Sequence, residues 1–178
     1  MRYHPLHSFS ILLCCVLYLI SCTPPDTRTY RQIDNDAAIT QTIYQHLQAD
    51  PQLQSSRIHV HVVDAMVLLT GQTSHASLKF QAEKAVRSIS SVTRLYNEIT
   101  ISEPPDLLQR KRDHRLTTRI RTQLLQLTGM RAVHFKVTTE YDVVYLIGIL
   151  TPIQSRLAMD TIRRTPGVKK AVNVLREA

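Results

Sequence analysis

Apolar residues along this chain follow two spacings that alternate in a fixed order. Ile39, Ile43 and Leu47 recur every fourth position, the spacing of one helix face. Asn35 or Asp36 suits the N-cap of that helix, and Pro51 stops it. From Arg57 to Val62 the period falls to two, with Ile58, Val60 and Val62 on one face and His59 and His61 on the other. That alternation predicts a half-buried strand. A turn at Asp64-Ala65 leads into a second strand, Met66 to Thr70, which ends at Gly71. Helical spacing returns from about Ser74 to Ser88 and buries Leu78, Ala82, Ala85, Val86 and Ile89; Val92 to Ile101 forms a third strand. The order is αββαβ. A three-stranded mixed sheet with both helices on one face buries every apolar stripe, and parallel second and third strands permit a right-handed crossover.

The same plan occurs twice. At a shift of 77 residues Ile39, Ile43 and Leu47 fall on Leu116, Ile120 and Leu124; Val67, Leu69 and Gly71 fall on Val144, Leu146 and Gly148. Beyond the glycine the shift is 76, and Ala82, Val86 and Asn97 fall on Ala158, Ile162 and Asn173. The expectation is an α+β chain of two tandem αββαβ domains, at 34–102 and 112–178, joined by a linker at 103–111. Domains of about 60 residues bury proportionally little surface, so the copies are expected to pack on each other.

Ahead of the repeat, residues 9–20 are apolar apart from Ser10. The run has the length of a signal-peptide core and falls short of the roughly 20 residues that span a bilayer. It ends in Leu19-Ile20-Ser21-Cys22, which resembles the bacterial lipobox. The lipobox likeness implies that residues 1–21 are a signal peptide and that Cys22 is lipidated and becomes the N-terminus. Thr23 stands where an aspartate would signal inner-membrane retention, which favours the outer membrane. An uncleaved anchor is the alternative; the short run and its break at Pro24-Pro25 weigh against it. Residues 22–33 read as a flexible tether. Cys14, Cys15 and Cys22 are the only cysteines, so the body of the chain has no disulfide framework.

Charge separates the copies. Residues 22–103 carry 7 basic and 8 acidic side chains, whereas residues 104–178 carry 14 and 6, a net +8. Arg110, Lys111, Arg112, Arg115, Arg119 and Arg121 cluster on or just before the first helix of the second copy. Arg112, Arg115 and Arg119 line one flank of its apolar stripe of Leu116, Ile120, Leu124 and Leu127. A basic rail beside an apolar stripe suits an anionic membrane surface. An ordinary solvated flank over a core-facing stripe is the other reading. The first copy has the stripe without the rail, because Gln41, Thr42 and Gln45 are neutral.

The segments "IHVHVVDAMVLLTGQ" and "VTRLYNEITI", and more closely "RLTTRIRTQLL", "FKVTTEYDVVYLIGILT" and "PGVKKAVNV", resemble BON domains. With the lipobox, the whole is similar to the dual BON-domain outer-membrane lipoproteins of the DolP type. That resemblance implies a non-enzymatic protein, lipid-anchored on the periplasmic face of the outer membrane. It implies binding of phosphatidylglycerol and cardiolipin, enrichment at division sites and support of envelope integrity. It places the phospholipid contact on the first helix of the second domain, here Arg112, Arg115, Leu116, Arg119, Ile120 and Gln123. The family carries a tryptophan at the position of Arg115, and this chain has none. The family's hairpin glycines are replaced by Asp64-Ala65 and Tyr141-Asp142, which predicts altered turn geometry. A second reading is a periplasmic adaptor for outer-membrane assembly machinery or septal peptidoglycan regulators.

Other chemistry is weakly signalled. His59 and His61 share a strand face, with His75 as a third candidate, but Lys136 and Thr138 occupy the matching positions of the second copy. That exchange favours a solvated face over a metal site. No nucleophile–base spacing, phosphate loop or metalloprotease motif is present, so no cofactor is expected. A basic helix also suits nucleic acid, but export with a lipid anchor argues against it.

Overall fold

The computed structural model of the chain describes residues 30–178. The expected signal peptide, residues 1–21, and Cys22 lie outside the described residues. The first unit comprises α1 (Tyr30–Ala49), a 3-10 turn (Pro51–Ser55), β1 (Arg57–Val63), β2 (Met66–Thr73), α2 (Ala76–Arg87), β3 (Arg94–Asn97) and β4 (Thr100–Ile101). The second comprises α3 (Leu107–Leu125), β5 (Phe135–Glu140), β6 (Val143–Leu150), α4 (Pro152–Arg164) and β7 (Lys170–Glu177). Each sheet is mixed. β1 runs antiparallel to β2, with β3 and β4 parallel to β2 on its other side; β5, β6 and β7 repeat the arrangement.

Several boundaries differ from the sequence expectation. Tyr30–Ile33 belong to α1 and not to a tether, and Leu107–Lys111 belong to α3 and not to a linker. Asp106 is the N-cap of α3, accepting from the Gln109 amide at 2.6 Å. The third strand of the first unit breaks at Glu98-Ile99. There the Asn97 carboxamide accepts from Ile99 N at 3.3 Å and donates to Lys79 O at 3.1 Å, and the Ile99 side chain enters the core.

Asp36 is not an N-cap. It is buried within α1, and its two carboxylate oxygens accept from Asp64 N (2.8 Å) and Ala65 N (2.9 Å), the amides of the β1–β2 turn. Asp113, 77 positions on, clamps the β5–β6 turn in the same way through Tyr141 N (3.0 Å) and Asp142 N (2.9 Å). All four turn residues have positive φ, from 51° to 65°. The turns therefore keep the left-handed backbone of a tight hairpin, contrary to the altered geometry expected for non-glycine residues. A charge-assisted bond to each turn amide offsets the left-handed cost at Ala65 and Tyr141.

The strands feed three cores because successive side chains point to opposite faces. In β2, Val67 and Leu69 enter the core under α1 and α2 with Ile39, Ile43, Ala82 and Val86. In β6, Val144 and Leu146 enter the matching core under α3 and α4. The intervening Met66 and Leu68 of β2 meet Tyr145 and Ile147 of β6 in a third core, with Val63 and Val174. The two units pack on each other as expected, and they do so through their sheets, which makes the molecule helix, sheet, sheet, helix. The helices of each unit lie on the side away from the other unit.

That packing covers the strand face expected to be solvated. Glu140, nearly fully buried, accepts from Arg57 Nη1 at 2.5 Å and Gln72 Nε2 at 3.0 Å, and lies 3.8 Å from His59 Nε2. Arg176 pairs with Asp64 across the same junction. Burial first, then the Arg57 charge, holds the His59 imidazole below its ordinary value, against the opposing pull of Glu140. Burial, then His59 and Lys136, push His61 down to about 4.

Two outcomes follow from these contacts. Both imidazoles take up protons less readily while the sheets are docked, so the packed state binds fewer protons than the separated or unfolded chain below about pH 6.5. Stability is therefore full above that pH and falls with acidification, with the His61 contribution to the loss reaching on the order of 3 kcal/mol near pH 4. Calorimetric midpoints recorded from pH 7.5 to 4 should show the fall, and His61→Gln should flatten it. Gly148 tests the local fit. A Cβ there would stand 2.4 Å from His134 O, in rigid backbone, so Gly148→Ala should cost about 2 kcal/mol or more in a denaturant titration.

Candidate functional site

The helix layer of the second unit carries the exposed charge. On α3 the buried side chains are Gln109, Asp113, Leu116, Ile120 and Leu124. Leu116 and Ile120, expected as lipid contacts, are only 6% and 0% exposed and belong to the second core. Their role is to fix the helix on β5 and β6, and they cannot reach a bilayer. Gln123 is half-buried, accepting from Thr165 Oγ1 at 2.8 Å.

Arg112, Arg115 and Arg119 are exposed on one flank. Arg119 Nη1 donates to Pro166 O at 3.4 Å, so this flank faces the end of α4. Arg112 donates to Gln109 Oε1, whose carboxamide nitrogen bonds Asp113 and Asp142 at 3.0 Å each. Lys169 reaches Asp142 at 2.8 Å. Burial disfavours the Asp142 carboxylate. Hydrogen bonds from Lys169 and Gln109, with the Lys169 and Arg112 charges, outweigh it and hold the group below the usual carboxylate range. Asp142 thus stays ionised, holding Lys169 directly and Arg112 through Gln109 at this end of the rail. Among the described residues, Arg115 makes no salt bridge.

Arg121 does not belong to the rail. It points to the opposite flank and lines a cavity of about 290 Å³ with His61, Thr117 and Lys136 near the junction of the units. At the positions of Arg112, Arg115 and Arg119 the first unit has Asn35, Ala38 and Thr42. One fold thus presents a cationic flank in one copy and a neutral one in the other.

Sequence reasoning missed the apolar surface of α4. This helix is fixed by a capping box between Thr151 and Gln154, with Pro152 in its first turn. Its core side is Ala158, Met159 and Ile162, yet Ile153 and Leu157 stand 63% and 44% exposed. The only sequence signal is two extra apolar positions, four apart, beyond those the core needs.

His59 and His61 form no metal centre with His75: His75 Nδ1 lies against Ser74 Oγ at 2.7 Å, whereas His61 Nε2 is 3.4 Å from Thr70 Oγ1. Among the described residues no group of three His, Cys, Asp or Glu is placed to hold a metal ion. No helix there is long and apolar enough to cross a membrane.

A family model for the BON domain matches residues 35–103 and again 112–178, the two units seen in the fold. The chain belongs to the BON domain family. As a two-BON protein it resembles the outer membrane lipoprotein DolP of Haemophilus influenzae, 28% identical across 99% of this chain and 98% of the relative. It also resembles the 21 kDa hemolysin of Actinobacillus pleuropneumoniae, 33% identical across 85% and 79% of the two chains. Among solved structures it is similar to the C-terminal domain of CdsD from Chlamydia trachomatis. That match has 12% identity and a TM-score of 0.31, and covers 93% and 78% of the two chains.

Proposed function

We propose that this BON protein is an outer-membrane lipoprotein, anchored through Cys22, whose second domain binds anionic phospholipid through the exposed arginines of α3. The observation that carries the reading is the Arg112–Arg115–Arg119 flank. It lies on a helix fixed to its own core and outside the junction between the domains. The near end-to-end similarity to an outer membrane lipoprotein and the Leu19-Ile20-Ser21-Cys22 lipobox support the anchor. Lipid chains on Cys22 hold the protein at the periplasmic leaflet, and the second domain selects phosphatidylglycerol or cardiolipin within it. The chemistry is recognition: phosphate charge on one side, guanidinium donors on the other, with no bond made or broken. In this reading the protein supports envelope integrity where such lipids gather, including division sites.

Each cation near an anionic surface contributes about 1 kcal/mol and is screened by salt. Three arginines then give roughly a hundredfold in affinity. The test is flotation of the chain from residue 23, which keeps every described residue, with vesicles containing phosphatidylglycerol. Arg112→Glu, Arg115→Glu and Arg119→Glu together should abolish flotation at low salt. The parent should lose it progressively between 0.05 and 0.5 M salt, a range chosen to shorten the screening length from over ~10 Å to under ~5 Å. Flotation unchanged by the reversal, or saturable capture by an envelope protein in its place, would sink the reading.

A further inference from the structure

The arginine flank can attract a bilayer, and the apolar side chains that α3 exposes stand only at its two ends, Leu107 and Leu108 in the first turn and Leu125 in the last. Its apolar stripe is core, and position 115 holds an arginine. A further exposed apolar pair, Ile153 and Leu157, stands together on α4. Resting on the lipid-binding reading above, we infer that Ile153 and Leu157 of α4 are the membrane wedge. They enter the acyl boundary of an anionic phospholipid bilayer while the α3 arginines hold its phosphates.

Three contacts place the two surfaces side by side. Arg119 reaches Pro166 O at 3.4 Å, Thr165 bonds Gln123 at 2.8 Å, and Gln154 Nε2 donates to Gly129 O at 3.0 Å just beyond the C-terminus of α3. The first two set the C-terminal end of α4 against the arginine side of α3, and the third ties the N-terminal turn of α4 to the loop that follows α3. Ile153 and Leu157 lie one helical turn apart, so they share a face; Arg164, two turns beyond Leu157, continues that line, and the half-exposed Asp160 on the same face is neutralised by Arg163. Both α3 and α4 cover the sheet face opposite the first domain, so this surface looks away from the rest of the molecule.

The occupant follows from composition. A soluble partner that covered two aliphatic side chains would have to meet a surround of unpaired cations. An anionic bilayer supplies hydrocarbon at the centre and phosphate at the rim, matching an apolar pair bordered by arginine. Among the described residues Arg156 and Arg164 make no salt bridge, whereas Arg163 pairs with Asp160 at 3.5 Å. The capping box keeps the first turn of α4 ordered, so the wedge is preformed and loses little freedom on insertion.

The experiment uses the chain from residue 23 and vesicles of equal parts phosphatidylglycerol and phosphatidylethanolamine. Ile153→Ser with Leu157→Ser should weaken vesicle binding about tenfold while leaving the circular dichroism and melting midpoint intact, because neither side chain is core. In a separate variant, Leu157→Trp, emission should shift to the blue on binding and be quenched by lipids brominated on the acyl chain. Full affinity in the serine pair, with no acyl-chain quenching, overturns the wedge. If charge reversal on α3 still abolishes binding in that case, the lipid reading survives without it. If charge reversal has no effect, or the parent chain does not bind vesicles, both fall.

Discussion

The face-to-face packing of the two sheets is the contact on which everything else depends. A unit of this size cannot bury both faces of its own sheet, because its two helices cover only one. Met66 and Leu68 on one side, and Tyr145 and Ile147 on the other, would be a water-exposed apolar ribbon in either domain alone. Pairing the ribbons removes the exposure, and it also fixes direction. Once the sheets face inward, both helix layers must face outward, and the charged flank of α3 is delivered to the surface as a consequence of the core.

The polar edge of that junction shows why the contact specifies one arrangement. Glu140 accepts from Arg57 and Gln72 of the other domain while almost wholly buried. Removing either donor would leave a carboxylate with too few partners in a low-dielectric setting, which costs more than the pair contributes in isolation. A slipped or rotated packing of the sheets would do the same. The apolar ribbon supplies attraction without direction, and the Arg57–Glu140–Gln72 set supplies register.

Much of the fold was legible in the sequence because the signals were periodic and doubled. Four-residue spacing of Ile39, Ile43 and Leu47 and its echo at Leu116, Ile120 and Leu124 fixed the helices and the repeat together. Features that depend on contacts between distant residues were not legible. Alternation at His59 and His61 reads as a wet face, since nothing local says that a second sheet will cover it. Asp36 looks like a helix cap by composition, and only the folded hairpin shows that it, like Asp113 in the second unit, clamps a turn 28 or 29 residues away. At the candidate site, the exposed flank of Arg112, Arg115 and Arg119 was legible because charge survives as a local signal. Leu116 and Ile120 were placed in the same contact, although the stripe that makes a helix amphipathic is the stripe its own core consumes.

The two domains have diverged in charge without diverging in fold, and the geometry gives that difference a use. An anchor at Cys22 would bring the whole molecule to a bilayer whichever way it turned. From there, the proposed binding by the second domain would be effectively intramolecular, so a weak preference at α3 and α4 would be enough to set orientation. The neutral flank of α1, with Asn35, Ala38 and Thr42 in place of three arginines, offers no competing electrostatic dock. Because the sheets hold the helix layers on opposite sides, a second domain seated on lipid turns the α1–α2 layer toward the periplasm. On the proposed function, one domain would read the membrane and the other would be presented to whatever lies beyond it.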